Sequence, residues 1–146
     1  MLETLARPSA AAAPAIAPAQ ARAALAGYGR VSLEARVASA SPHQLVAMLY
    51  QRLSALLREA CEAARLGNSA RRLRATERAL AIVDGLDATL DLDRGGGVAV
   101  ALRQVYALLR DRLMLGEASG LSEALESVDA IGDAWRQIGG LTRSER

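Results

Sequence analysis

The chain has 146 residues, enough for one domain, and 51% of them are hydrophobic although only 3% are aromatic. Leucine and alanine dominate and phenylalanine is absent, a profile that favours an aliphatic helical bundle over a β-sandwich. All basic residues are arginine and the formal net charge is only +2, which argues against a nucleic-acid or membrane-surface role.

Three further features of composition indicate a cytosolic protein. No apolar run approaches the roughly 20 residues of a membrane-spanning helix. The N-terminus lacks the basic segment and continuous apolar core of a secretory signal. The single cysteine, Cys61, has no second cysteine with which to form an intramolecular disulfide.

The N-terminal region is predicted to be a flexible arm. Residues 1–24 are rich in alanine and contain three prolines, which break any helix long enough to be stable alone, so we expect a disordered extension. Residues 25–40 are expected to form a mobile segment, and its bulky apolar side chains are Leu25, Tyr28, Val31, Leu33 and Val37. Two interpretations of Tyr28 are open: reversible docking in a groove, or permanent packing on the bundle. For Val37 we expect packing on the first helix.

The first helix is predicted over residues 42–66. Ser41 is a suitable N-cap, Pro42 suits the first helical position, and Gln44 completes a capping-box spacing. Gly67 and Asn68 supply the stop and turn. Its apolar stripe contains Leu45, Leu49, Leu53, Leu56, Ala60 and Ala64, with Tyr50 and Leu57 beside it.

Three more helices are predicted by apolar residues at three- and four-residue steps. They span about residues 69–90, 97–115 and 121–138, with residues 91–97 as a connector and Gly139 and Gly140 ending the last helix. Trp135 is expected in the core. Short connections make successive helices antiparallel, so we predict an all-α, up-down four-helix bundle over residues 41–139 with a tail at 140–146.

The apolar stripes are wider than a narrow bundle seam requires. Either this surplus belongs to an ordinary core-facing surface, or part of it is exposed as a groove for an amphipathic helix. The residues concerned are Met48, Leu57, Ile82, Leu86, Leu108 and Met114.

No catalytic constellation is found in the sequence. His43 is expected to be a solvated group in the first helical turn, and Cys61 would lie roughly 27 Å from it on the same helix. Ligands for a metal ion are missing. We therefore expect no enzyme activity, no metal and no cofactor.

Three stretches resemble the flagellar secretion chaperone family, FliS. They are YGRVSLEARVASASPHQLVAMLY at residues 28–50, DRGGGVAVALRQVYALLRDRL at 93–113 and AWRQI at 134–138. The resemblance covers about residues 25–138 and implies an antiparallel four-helix bundle. It also implies that the client is the disordered C-terminal region of flagellin, which wraps around this bundle. It further implies that the protein prevents premature polymerisation of flagellin in the cytosol and presents it to the type III export gate.

The resemblance also implies site residues. Tyr28 matches a tyrosine that covers a client groove in the empty chaperone, and Leu25 matches the apolar residue one turn before it. The full set expected for the lid and client binding is Leu25, Tyr28, Val31, Val37, Leu45, Met48, Leu49, Tyr50, Ile82 and Leu86. Gln51 and Gly97 depart from the family pattern, which often has acidic residues there, and the N-terminal extension is longer than usual.

Several alternatives are left open by the residues. A nucleic-acid-binding helical protein would need a one-sided arginine stripe, whereas these arginines are interleaved with acids. A small enzyme would need a nucleophile or metal that is missing. Only a pulldown with candidate clients would distinguish a flagellin chaperone from a chaperone for a different export substrate. Other flagellar export or regulatory partners and a homodimer are also left open.

Overall fold

Four consecutive helices make up the fold of the computed structural model, which describes residue 21 and residues 36–144, with side chains as far as residue 138. The helices are α1 (Pro42–Arg65), α2 (Ser69–Ala88), α3 (Leu92–Leu115) and α4 (Ala118–Ser144). A helical turn at residues 36–39 precedes α1. Helix α1 packs against α2 and α4, and α3 closes the ring by packing against the same two helices. The predicted all-α helical bundle is confirmed.

The start of α1 is the capping box that the sequence predicts. The Gln44 backbone N–H donates to Ser41 Oγ over 3.1 Å, and the Ser41 N–H donates to Gln44 Oε1 over 2.8 Å. Pro42 occupies the first turn, where its missing N–H is not needed. After Arg65 the chain turns through Gly67, whose φ of 71° is favourable only for glycine. The predicted bounds of this helix are therefore correct to one residue.

The predicted connector at residues 91–97 is wrong. Asp91 caps α3, because its Oδ1 accepts from the Arg94 backbone N–H over 3.1 Å, and the helix begins at Leu92. Only Gly96 departs from helical geometry, with φ 54° and ψ −134°. Glycine composition thus marks a kink within a helix at this point, since a residue without Cβ adopts such angles readily.

The predicted C-terminal stop is also wrong. Helix α4 passes through Gly139 and Gly140 and continues to Ser144. Glycine in a helix costs about 1 kcal/mol relative to alanine but does not forbid helical φ and ψ. The residues predicted as a tail from 140 onward are therefore helical as far as 144.

The core combines aliphatic side chains with a buried hydrogen bond between two tyrosines. The hydroxyls of Tyr50 on α1 and Tyr106 on α3 lie 2.6 Å apart, and the two side chains are 2% and 0% exposed. We call them the tyrosine pair. Because α1 and α3 are diagonal neighbours, this hydrogen bond crosses the centre of the bundle. The other large side chains that are fully buried are Leu45, Leu49, Leu53, Leu56, Leu57, Ile82, Leu86, Leu121, Val46, Val83 and Val128.

Helix α4 is held on α1 by polar contacts as well as packing. Trp135 is 7% exposed, as predicted for a core residue, and its Nε1–H donates to the His43 carbonyl over 2.9 Å. The His43 ring stacks on the indole at 4.6 Å between centroids, so His43 is not the solvated group that we expected. Further along the same pair of helices, Ser54 Oγ on α1 donates to Asp129 Oδ1 on α4 over 2.5 Å.

One residue of the predicted extension is part of the described structure. Ala21 is helical, fully buried, and belongs to the core cluster. Residues 1–20 and 22–35, which include Leu25, Tyr28 and Val31, lie outside the described residues, and so do the predictions made for them.

Candidate functional site

Most of the described residues that we expected at a client site lie in the core. Leu45, Leu49, Tyr50, Ile82 and Leu86 are between 0% and 2% exposed. They pack the helices together and present no surface to a partner in this conformation. Apolar residues at three- and four-residue steps indicate that a helix has an apolar face. This spacing does not distinguish a face in the core from one that is exposed.

Two expected site residues lie closer to the surface. Val37 is half-buried and packs against the core, as predicted. Met48 is half-buried and lines a cleft of about 340 Å³ between the start of α1 and the end of α4, together with Gln51 and Arg136. A second cleft of about 290 Å³ continues along the same two helices. Its lining includes Asp129, Asp133 and Arg58, so this side of the bundle is mainly polar.

Most of the exposed large apolar side chains of the described residues lie on α3. Val100, Leu108, Met114 and Leu115 are 51%, 48%, 74% and 69% exposed. They share the solvent side of the helix with exposed alanines and two polar residues. We call this surface the α3 outer face, and its eight residues are Val100, Ala101, Gln104, Ala107, Leu108, Asp111, Met114 and Leu115.

Two arginines of α3, Arg103 and Arg110, lie on the side of the helix that faces α2 and bind acids of that helix. Arg110 donates to Asp84 over 2.7 Å and to Asp87 over 2.9 Å, both on α2. Asp87 also accepts from Arg103 Nε over 3.3 Å. These hydrogen bonds raise the pKa of the Arg110 guanidinium. These ion pairs oppose any rotation of α3 about its own axis. The apolar residues of the α3 outer face therefore stay on the solvent side of the helix.

The apolar surface continues at one end of the bundle. Leu66, after α1, and Leu73, in the second turn of α2, are 67% and 53% exposed. The Arg72 side chain lies over Gly116, which places the beginning of α2 against the end of α3. Leu66 and Leu73 therefore lie at the same end of the bundle as Met114 and Leu115.

Nothing in the described part of the chain provides a catalytic or metal centre. Residue 21 and residues 36–144 contain no group of three or more His, Cys, Asp or Glu side chains placed to bind a metal. Burial raises the pKa of the Cys61 thiol despite the nearby Arg65 charge, which disfavours the nucleophilic thiolate. In the same residues no helix is long and apolar enough to cross a membrane.

Fold and surface together define a helical bundle whose exposed apolar helix face is suited to binding another polypeptide. The chain belongs to the FliS family, because the model of that family, described as flagellar protein FliS, matches residues 24–142. The resemblance drawn from the three sequence motifs is thereby confirmed. The family is a class of chaperone and not of enzyme.

Curated relatives support the assignment over most of the chain. A protein named flagellar secretion chaperone FliS from Salmonella typhimurium is 35% identical over 116 residues, which is 76% of this chain and 86% of the relative. Flagellar secretion chaperone FliSB from Pseudomonas aeruginosa is 32% identical over 104 residues, or 71% and 82% of the two chains. The FliS chaperone from Vibrio cholerae is 28% identical over 121 residues, or 80% and 89%.

Proposed function

We propose that this protein is a cytoplasmic flagellar export chaperone that binds the disordered C-terminal region of flagellin. Binding prevents premature polymerisation, and the complex is delivered to the flagellar type III export apparatus, with a component of the export gate as a further partner. Family membership and the names of the curated relatives support the proposal. The mechanism is one of reversible binding without a chemical step.

The observation that carries the proposal is the α3 outer face. Six of its eight residues are apolar and all eight are exposed, although the other helices bury most of their large apolar side chains. An amphipathic client helix laid along this face would remove those side chains from water. Ordering a disordered client costs about 2–5 kcal/mol of the gross interaction energy. A long apolar face, extended by Leu66 and Leu73, is what such binding requires.

The arrangement of the arginines argues against a nucleic-acid-binding protein. Phosphate binding needs several cations on one surface that are available to the nucleic acid. Here Arg58 pairs with Asp129 on one side of the bundle, and Arg103 and Arg110 pair with acids of α2 on another. Their charge is used to join helices.

Calorimetry with a synthetic flagellin C-terminal segment tests the proposal. We expect heat and a 1:1 complex with the full chain, and binding at least about tenfold weaker after Met114→Glu. Ala130→Glu is the matched control, since Ala130 is exposed on α4 and receives the same charge away from the α3 outer face. Absence of binding by the unmodified chain, or equal loss from both variants, would contradict the proposal.

The lid function stays a separate prediction within this proposal. Tyr28 would compete with the client for its groove, so Tyr28→Ala is expected to change client affinity modestly by removing the competitor. The same titration measures this change. An unchanged affinity would argue for permanent packing of Tyr28, the alternative that the sequence leaves open.

A further inference from the structure

We infer that Asp111 selects the client helix: it admits an amphipathic helix with a lysine or arginine within its apolar surface, and it rejects a helix with an acid there. The inference rests on the proposed function, which places the client on the α3 outer face. Asp111 is the one charged residue among the eight of that face, and it is exposed. Its position determines which helices can cover the apolar residues around it.

Asp111 is surrounded along the helix by apolar side chains. The residues three and four positions away, which are its neighbours on the helix surface, are Ala107, Leu108, Met114 and Leu115. The last three of these side chains are 48%, 74% and 69% exposed. A client helix that removes them from water must also cover the carboxylate that lies between them.

The arginines on either side of Asp111 are engaged with other helices. Arg110 donates to two acids of α2, and Arg112 pairs with Glu123 on α4. Among the side chains that the structure describes, none forms an ion pair or a hydrogen bond with the Asp111 carboxylate. This carboxylate therefore depends on solvent for its hydrogen bonds until a client arrives.

The cost of covering the carboxylate depends on the client. A charged group that leaves water without a partner weakens a complex strongly, whereas a cation with hydrogen-bond donors offsets the lost hydration. A lysine or arginine of the client supplies both the charge and the donors. An acid at the same place adds repulsion between like charges. The face thus discriminates against wholly apolar and acidic helices through the group that they would leave unpaired.

Gln104 adds a second polar requirement at a fixed distance. It precedes Asp111 by seven residues, so the two side chains lie on the same side of α3, about 10 Å apart along the axis at 1.5 Å per residue. Its neighbours three and four positions away are again all apolar: Val100, Ala101, Ala107 and Leu108. The helix that fits this face carries a basic residue and, two turns away, a side chain that hydrogen-bonds an amide.

Designed helices test the selectivity of the face. Three peptides of about 18 residues, long enough to follow it, have leucine at three- and four-residue steps. They differ at one central position of the apolar surface, which is lysine, glutamine or glutamate. Fluorescence anisotropy measures their binding to the full chain. We expect the lysine peptide to bind at least about tenfold more tightly than the glutamate peptide, with the glutamine peptide between them.

Reversing the charge of the selecting residue should reverse this order. With Asp111→Lys we expect the glutamate peptide to bind most tightly and the lysine peptide most weakly. Glu126→Lys is the matched control and should keep the original order, because Glu126 is exposed on α4 and receives the same change of charge away from the α3 outer face. Circular dichroism checks that both variants are folded. Equal affinities for the three peptides, or an unchanged order after Asp111→Lys, would overturn the inference.

The flagellin C-terminal segment separates this inference from the proposed function. Segment binding that weakens at least about tenfold in Asp111→Lys, and not in Glu126→Lys, supports both. Segment binding that is unchanged in Asp111→Lys removes the inference alone. A segment that does not bind the unmodified chain removes the proposed function, and the designed helices then still decide whether Asp111 selects its partner by charge.

Discussion

Removing one hydroxyl of the tyrosine pair should destabilise the bundle more than removing both. In Tyr106→Phe the ring keeps its packing, but the Tyr50 hydroxyl loses its partner 2.6 Å away while remaining 2% exposed. Leaving a buried hydroxyl unsatisfied costs about 1–3 kcal/mol of the free energy of unfolding. Tyr50→Phe should cost a similar amount, because the Tyr106 hydroxyl is fully buried.

The double substitution is the informative comparison. With both hydroxyls replaced, no unsatisfied group remains, and two apolar groups of the same shape are nearly neutral relative to the bonded pair. The double variant should therefore lose less stability than either single variant, and less than the sum of the two by at least about 2 kcal/mol. Urea unfolding followed by circular dichroism measures all four proteins. Additive losses would show that the two hydroxyls do not act as a pair, and single losses below about 0.3 kcal/mol would show that neither is desolvated.

Three further predictions concern alkaline pH, a turn and the α1–α4 contact. Burial raises the pKa of Tyr50 to about 12 from 10 and also raises that of its partner, so the unfolded chain loses protons that the folded protein keeps. Below pH 10 the tyrosine pair should therefore leave the free energy of unfolding independent of pH. Between pH 10 and pH 12 this free energy should fall by about 1.4 kcal/mol per pH unit for each tyrosine. Urea unfolding at several pH values measures the fall, which should be absent in the double phenylalanine variant. Gly116→Ala should lower the free energy of unfolding by about 1–2 kcal/mol in a urea melt, because φ is +67° and the new Cβ would clash with Arg72 Nη1. Gly97→Ala meets nothing within 4 Å and should be neutral or stabilising, so equal effects of the two changes would contradict this prediction. Trp135→Phe removes the hydrogen bond to the His43 carbonyl and part of the buried indole, and should lower the free energy of unfolding by about 1–3 kcal/mol. A thermal melt measures this loss, and an unchanged melting temperature would show that the contact is not formed.

Local sequence signals predicted the starts of α1 and α2 to the residue, but they missed the start of α3 and the end of α4. The Ser41 and Asn68 caps act through side-chain contacts within three residues, so they can be recognised without knowing the fold. The glycines at 95–97 and 139–140 were misread because glycine permits a turn without requiring one.

The position of the α3 outer face could not be predicted from the apolar periodicity alone. Leu86 and Leu108 are both apolar residues beside a regular stripe, yet one is fully buried and the other is 48% exposed. The difference arises from the packing of α3, because Tyr106, Leu109 and Leu113 face the core and Leu108 faces away from it. Arg103 and Arg110 pair with Asp87 beside this packed face. Such contacts join residues at least sixteen positions apart, and no local signal indicates them.

The sequence by itself determined the helical class and the family, because periodicity, caps and short motifs are local properties of the chain. Only the tertiary structure decided which apolar residues are core and which form the α3 outer face. It also joined the tyrosine pair across the bundle and stacked His43 on Trp135. Burial depends on how helices rotate against one another, and that rotation follows from the packing of all four together.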